Sequence, residues 1–342
     1  WLPGVVATHF ADATAQAVAG SQDLGARRLT VSAYGRVAVV GAGWAGLACA
    51  AHLVASRTPV TVFEAARQPG GRARTVTLNG LDLDNGQHLL VGAYTETLEL
   101  MRLVGARPER LFARAPLHLL YPGQFSLRLP SLPAPLHLAI GLLRARGATI
   151  GEKLSAARFM NRLQRHHFRL AQDTTVSRWL DDEGQHGAIR RYLWEPLCLA
   201  ALNTLAADAS AQIYANVLRD SLGGDRRATD LLLPGCALGE LLPSHAVDFI
   251  GRQGGEVRFS TRIDTLGREG NGWQLAGEHF DHVVLAVAPQ HLASLLAARE
   301  AHAALLAQLA GYTYEPIGTA YLAYPENVSL PAPMLGLAGP TG

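Results

Sequence analysis

Cysteine is scarce in this chain. Cys49, Cys198 and Cys236 lie far apart, with no CxxC pair and no histidine at metal-ligand spacing, which excludes a disulfide framework and a Cys/His metal centre and fits a reducing, cytoplasmic setting. Excess charge of either sign is missing too. Lys plus Arg number 30 against 28 Asp plus Glu, so no global field marks a nucleic-acid binder, and pairs such as Arg27-Arg28, Arg190-Arg191 and Arg226-Arg227 read as solvated faces. No apolar run approaches the ~20 residues that span a bilayer. The most apolar stretch, LPSLPAPLHLAIGLL from Leu129 to Leu143, is broken by proline, so it is expected to touch a membrane surface without crossing. The N-terminal WLPGVVATHFADATAQAVAG lacks the basic start and long apolar centre of a secretory leader, and residues 1–33 are read as an extension of unassigned role. The Pro/Gly-rich last residues, PAPMLGLAGPTG, contain no terminating element, and both ends read as those of a fragment.

What is present starts at residue 36, in RVAVVGAGWAGLACAAHLVASRTPVTVFEA. A short valine-rich run is the pattern of a strand buried on both faces of a parallel sheet. It leads into Gly41, Gly43 and Gly46, then an Ala/Leu-rich helical pattern, then a second strand, VTVFE, that ends in Glu64. In such a unit the first glycine makes the tight turn, the second lets main chain approach a pyrophosphate, and the third lets helix and strand pack closely. The phosphates sit at the helix N-terminus, where N–H groups and the dipole favour negative charge. Glu64 is placed to accept hydrogen bonds from ribose hydroxyls and would repel a 2′-phosphate. A dinucleotide site follows, with an α/β, Rossmann-type doubly wound parallel sheet around it.

After Glu64 the chain departs from a simple alternation of strand and helix. TVTLNGLDLD reads as a hairpin about Asn79-Gly80, and a second turn signal, Asn85-Gly86, delivers Gln87 and His88. GAGWAG, then FEA, then GGRARTV together resemble the amine oxidase and phytoene desaturase superfamily of FAD flavoproteins. That resemblance implies FAD as cofactor, with Trp44, Ala45, Ala65, Gly71 and Arg72 joining Gly41, Gly43, Gly46 and Glu64 around it. Arg72 is then expected at the cofactor phosphates, and Gly86, Gln87 and His88 beside the isoalloxazine. NGQHLLVGAYTETLELMRLVGA and YLWEPLCLAALNT narrow the likeness to the hydroxysqualene dehydroxylase family within that superfamily. A lipophilic triterpene substrate, hydride delivery from reduced flavin and peripheral contact with the inner face of a membrane follow as expectations. The family also implies a later Gly-Asp segment and a last helix completing the flavin site, beyond residue 342.

Between Leu89 and Leu231 the pattern is mostly helical with Pro-rich interruptions at 116–135. GEKLSAARFMNRLQRHHFRLAQ is amphipathic, Thr174 to Leu180 has a helix start, and His166-His167 reads as surface. RRYLWEPLCLAALNTLAADAS is either a cavity wall or a buried core helix. Glu195 within it is either a carboxyl with a raised pKa or the partner of Arg190 or Arg191. With His88 it is a candidate catalytic acid. Asp82 and Asp84 alternate on one strand face and read either as a solvated face or as part of the chemistry.

From residue 231 a helix, a Gly-rich stop, a strand with Val257, Phe259, Thr261 and Ile263 on one face, and a hairpin through Asn271-Gly272 lead to the buried-strand run DHVVLAVAP. The resemblance places Val257 against the adenine through its main chain. The parsing expected is therefore a nucleotide domain from 34–88 and 231–300, and a mainly helical α+β substrate domain from 89–230 and 301–342, the last part returning to strand from Ile317. Two other readings stay open: a carotenoid-type desaturase with the same cofactor motifs, and a non-catalytic flavin- and lipid-binding protein. No oligomeric state follows from the sequence.

Overall fold

A computed structural model describes residues 35–296, 302–325 and 327–338, so the N-terminal extension lies outside the described residues. β1 (Val37–Val40) and β2 (Val60–Phe63) flank α1 (Trp44–Ala55), and every residue of both strands is buried. A hairpin follows, β3 (Thr75–Leu78) and β4 (Leu81–Asp84), then short β5 (Leu90–Val91) and α2 (Thr95–Leu103). β6 (Phe112–Ala115) precedes a second hairpin, β7 (His118–Tyr121) and β8 (Phe125–Arg128), in the segment expected to be Pro-broken and helical. Next come α3 (Leu136–Arg144), α4 (Ile150–Arg165), α5 (Val176–Asp182), a π-helical turn over Arg190–Trp194, α6 (Glu195–Leu202) and α7 (Ala211–Ser221). β9 (Leu231–Pro234), α8 (Pro243–Arg252), β10 (Glu256–Arg258), the meander β11 (Gly267–Glu269), β12 (Gly272–Leu275) and β13 (Glu278–Phe280), and β14 (His282–Leu285) complete the nucleotide-binding part.

β10, β2, β1 and β14 form one parallel sheet in that order, with Val39 beside Val62 and Val284. Because successive residues point to opposite faces, Val37 and Val39 enter one core with α1 and α8, while Ala38 and Val40 enter another with Leu275 and Phe280 of the meander. Helices thus cover one face of the sheet and a three-stranded antiparallel sheet covers the other. Phe63 seals the latter edge-on against Phe280, ring centroids 5.7 Å apart.

The core of the helical region runs from Leu117 to Leu231. Phe159 packs on Trp179 at 4.9 Å and on Trp194 at 5.4 Å. Its polar edges are satisfied inside: Trp194 Nε1 donates to Gln185 Oε1 at 3.0 Å, and Tyr214 Oη donates to the Trp194 carbonyl at 2.8 Å. Tyr192 to Trp194 and Cys198 therefore belong to a packed core rather than a cavity wall. α4 starts at a capping box, Thr149 with Glu152, and ends before His166 and His167, which are exposed.

Leu90, Leu98, Met101, Val104, Ala106 and Phe112 pack in the core of the parallel sheet, whereas Leu89 and Val91 pack against the core of the helical region. Several expectations are corrected. β10 ends at Arg258, because Ser260 and Thr261 bond back to Ala66 and Glu64 instead of continuing the ladder to Ile263. The β11–β12 turn is Gly270-Asn271, one residue earlier than expected, since Glu269 pairs with Gly272 and Gly270 carries the positive φ. Among the described residues beyond Ile317 no strand forms. The segment touches the body at separated points, Tyr321 to the Asp84 carbonyl and Gly336 to the Leu120 carbonyl, without a continuous ladder.

His137 on α3 is 1 % exposed, and neither ring nitrogen has a hydrogen-bond partner among the described residues. Burial holds its pKa below the ordinary imidazole value of about 6.5, with Arg226 acting in the same direction and Asp225 and Asp230 opposing. The unfolded chain takes up a proton below pH 6.5 that the folded chain resists, so stability falls as pH drops through that value. Urea unfolding of His137→Leu at pH 7.5 and 5.5 should show a smaller loss between the two pH values than the parent.

Candidate functional site

The site is assembled where the parallel strands end. β1 stops at Val40 and the chain turns through Gly41, whose φ of +106° and closeness to the Ala286 carbonyl after β14 both exclude a side chain. Gly41 N–H donates to the Phe63 carbonyl at 2.7 Å, tying the turn to the end of β2. α1 then begins at Trp44 with no side-chain cap, so its first-turn N–H groups lack intrahelical acceptors and carry the positive end of the helix dipole. A Cβ on Gly46 would strike the Gly41 carbonyl, which makes helix and turn pack main chain against main chain.

Gly43 differs. A Cβ there would meet only the Gly71 Cα, 3.9 Å away. The Gly70-Gly71 segment lies alongside: Gly70 N–H donates to the Ala42 carbonyl at 2.8 Å, and Gly43 and Gly70 form a parallel bridge. Two stretches free of side chains thus make a floor of peptide groups. Glu64 is fixed at its edge, Oε2 accepting from Ala42 N–H at 2.7 Å and Oε1 from Ala66 N–H at 2.8 Å. Each oxygen keeps a second lone pair, one for each hydroxyl of a ribose.

The remaining predicted residues gather here with one exception. Trp44 Nε1 donates to the Ala73 carbonyl at 3.3 Å. Asn85 joins the next turn to the floor, its side-chain amide donating to the Arg72 carbonyl at 2.9 Å and its N–H to the Arg74 carbonyl at 2.8 Å. That brings Gly86, with φ of +83°, Gln87 and His88 beside Gly71 and Arg72. Arg72, Gln87, Ala45 and Ala65 are exposed and His88 is half-buried. His88 Nδ1 lies 2.9 Å from the Gly86 carbonyl; a carbonyl only accepts, so Nδ1 carries the hydrogen and Nε2 faces outward from that bond. Val257 pairs with Val62, and because the Arg258 carbonyl accepts from Glu64 N–H, the alternation turns Val257's own N–H and C=O to the open edge of the sheet.

Glu195 stands apart, partly exposed at the start of α6 in the helical region. Arg190 Nε donates to its Oε1 at 2.7 Å, and the same guanidinium bonds Asp181 and the Ser177 hydroxyl. Of the two alternatives for this carboxyl, the structure takes the ion pair. Asp82 is exposed and accepts from Thr77 across the hairpin, while Asp84 accepts from Thr75 and from Leu238 N–H at the start of the Leu238–Leu241 turn. Both aspartates organise structure.

Sequence reasoning missed Arg74. Its Nε is buried with no hydrogen-bond partner among the described residues, two residues from Arg72 and next to the floor. A buried guanidinium nitrogen without an acceptor is costly, and an anionic group on the floor relieves it. The donor set therefore fits a diphosphate. The available signal was the second arginine of GGRART.

The flavin-containing amine oxidoreductase family model matches residues 44–340. Hydroxysqualene dehydroxylase of Rhodopseudomonas palustris is 32 % identical over 279 residues, 76 % of this chain and 63 % of that protein. Hydroxysqualene dehydroxylase of Zymomonas mobilis is 25 % identical over 254 residues, 71 % of this chain and 57 % of that protein. The chain thus spans about three fifths of the curated relatives it matches. Among solved structures, an oxidoreductase from Methanosarcina mazei superposes with a TM-score of 0.59 at 15 % identity, covering 81 % of this chain and 65 % of that one.

Gly43 has an ordinary φ of −70°, so a side chain there is tolerated by the backbone and intrudes only on the floor. Gly43→Val should keep the thermal unfolding temperature of the ligand-free protein and weaken dinucleotide binding by tenfold or more, about 1.4 kcal/mol. The flavin-to-protein absorbance ratio after reconstitution and gel filtration measures it.

Proposed function

This chain belongs to the flavin-containing amine oxidoreductase family, and we propose that with FAD as its cofactor it reduces hydroxysqualene to squalene, replacing an allylic hydroxyl by hydrogen. The observation that carries the reading is the likeness to named hydroxysqualene dehydroxylases over three quarters of the chain, on a fold that also builds the peptide floor.

In this proposal the Gly41–Trp44 turn and the Gly70–Arg72 segment hold the diphosphate, Arg74 pairs with its charge, Glu64 takes a ribose and the Val257 main chain takes the adenine. Reduced flavin, when bound, supplies a hydride. The chain's own share is the proton. His88 is locked by its Nδ1–H bond to the Gly86 carbonyl, so its protonated form presents Nε2–H, and that proton goes to the departing hydroxyl, which leaves as water. Alcohol, hydride and proton then balance as hydrocarbon and water. Glu195, held by Arg190, serves position rather than proton transfer.

A C30 substrate has to come from a lipid phase. α3 buries His137, Leu138, Gly141 and Leu142 on one side and presents Leu136, Ala139, Ile140 and Leu143 on the other, at i, i+3, i+4 and i+7. Leu136 is 51 % exposed, Leu143 72 %, and Ile150 at the start of α4 75 %. An apolar stripe opposite the buried face has no use in water and suits a shallow seat in the interface of the cytoplasmic membrane leaflet. No helix of the described residues is long and apolar enough to cross a membrane.

Anaerobic incubation of prereduced protein with hydroxysqualene should yield squalene with stoichiometric flavin re-oxidation, and His88→Gln should slow it by ~10²-fold or more. No squalene, or desaturation of a polyene by the oxidised protein instead, overturns the reading. Separately, Leu136→Ser/Leu143→Ser should remove cosedimentation with liposomes while leaving flavin content unchanged. Equal cosedimentation of parent and variant removes the lipid-contact reading.

A further inference from the structure

Beside the apolar stripe lies a cavity of about 420 Å³ lined by Pro116, Ser126, Arg128, Leu129, Pro130, Ser131, Arg144 and Arg146. Three elements supply its cations: Arg128 ends β8, Arg144 ends α3, and Arg146 lies in the connection to α4. The connection is clamped to β8 by a pair of main-chain bonds, Ser126 N–H to the Arg146 carbonyl at 3.1 Å and Arg146 N–H to the Ser126 carbonyl at 2.8 Å. Ser126 and Arg128, two apart on one strand, point the same way.

No carboxylate lines the cavity. Among the described residues Arg36, Arg102, Arg114, Arg162, Arg190, Arg219 and Arg258 are ion-paired, whereas Arg128, Arg144 and Arg146 are not. Arg128, Arg144 and Arg146 are exposed; their mutual repulsion is weak in solvent, and an anion between them replaces it with attraction. Guanidinium forks match the oxygens of a phosphate, and the hydroxyls of Ser126 and Ser131 add neutral partners. The charge is felt locally: the pKa of His118, 3.3 Å from Ser126 Oγ, is lowered by burial and by Arg128.

We propose that this cavity binds the phosphate of an anionic phospholipid headgroup. The choice of source rests on position. Arg144 directly follows Leu143 at the exposed end of the stripe, and Arg146 precedes Ile150 across the turn, so a headgroup in the cavity leaves its acyl chains beside the residues assigned to the bilayer. The inference rests on the lipid-contact reading of α3, and it adds lipid selectivity to that surface.

The test uses the full chain with vesicles of phosphatidylcholine alone and with about a quarter phosphatidylglycerol, at fixed ionic strength. The parent should bind the anionic vesicles at least tenfold more tightly. Arg128→Gln/Arg146→Gln should lose that preference, keep its binding to phosphatidylcholine and keep its thermal unfolding temperature. Arg107→Gln/Arg252→Gln, exposed arginines on the nucleotide-binding part, removes the same charge and should keep the preference. Equal affinity of the parent for both vesicles, or equal loss in the two double variants, overturns the headgroup site while the apolar contact stands. Binding of the parent to neither vesicle overturns both. Micromolar calorimetric binding of inorganic phosphate or pyrophosphate, abolished by Arg128→Gln/Arg146→Gln and without a vesicle preference, assigns the cavity to a soluble anion and overturns the lipid.

Discussion

The structure depends on one close approach, main chain on main chain, between the turn after β1 and the Gly70-Gly71 segment. A Cβ at Gly71 would come within 3.1 Å of the Gly43 Cα, and the Gly70 N–H to Ala42 carbonyl bond needs the same closeness. A side chain at Gly71 would push the two apart, and one at Gly43 would stand on the floor of peptide dipoles and cover it. Such a floor is well suited to a diphosphate because its N–H groups are fixed by strands and helix before any ligand arrives, leaving little reorganisation at binding.

Around that contact the fold solves a problem of connectivity. The residues that meet at the floor come from positions 41 to 46, 64 to 74, 85 to 88 and 257, and a helical region with its own core intervenes before the last. Parallel pairing does the gathering. β2 lies between β1 and β10, so Glu64 and Val257 reach the same end of the sheet as the glycine turn without being near it in sequence. Asn85 then anchors the turn carrying His88 through two bonds to the Arg72 and Arg74 carbonyls.

What could be read from the residues was what the chain decides locally. The valine runs, the glycine spacing and the Asn79-Gly80 turn, with Asn79 and Gly80 both at positive φ, are set by sterics within a few residues. Arg74 was illegible because its importance lies in a missing partner, which only packing reveals. The length of β10 and the straightness expected after Ile317 failed for the converse reason: alternation permits a strand, but a strand exists only where another edge offers hydrogen bonds. The Glu195 ambiguity was likewise one of partner choice, settled when the π-helical turn carried Arg190 to within reach.

In the proposed lipid contact, α3 is one short helix serving two solvents. Its inner face closes the core of the helical region, with His137 buried there, and its outer face carries leucines that water would not select. A helix packed on both sides by protein would have the same composition, so composition alone leaves its setting undecided. The lipid-contact proposal rests on the boundary: the stripe ends at Arg144, which has no ion-pair partner among the described residues, and apolar residues edged by such cations match the interface of an anionic bilayer, acyl chains below and phosphates above. Under that proposal a C30 substrate enters its site directly from the lipid phase, and the step never passes through bulk solvent.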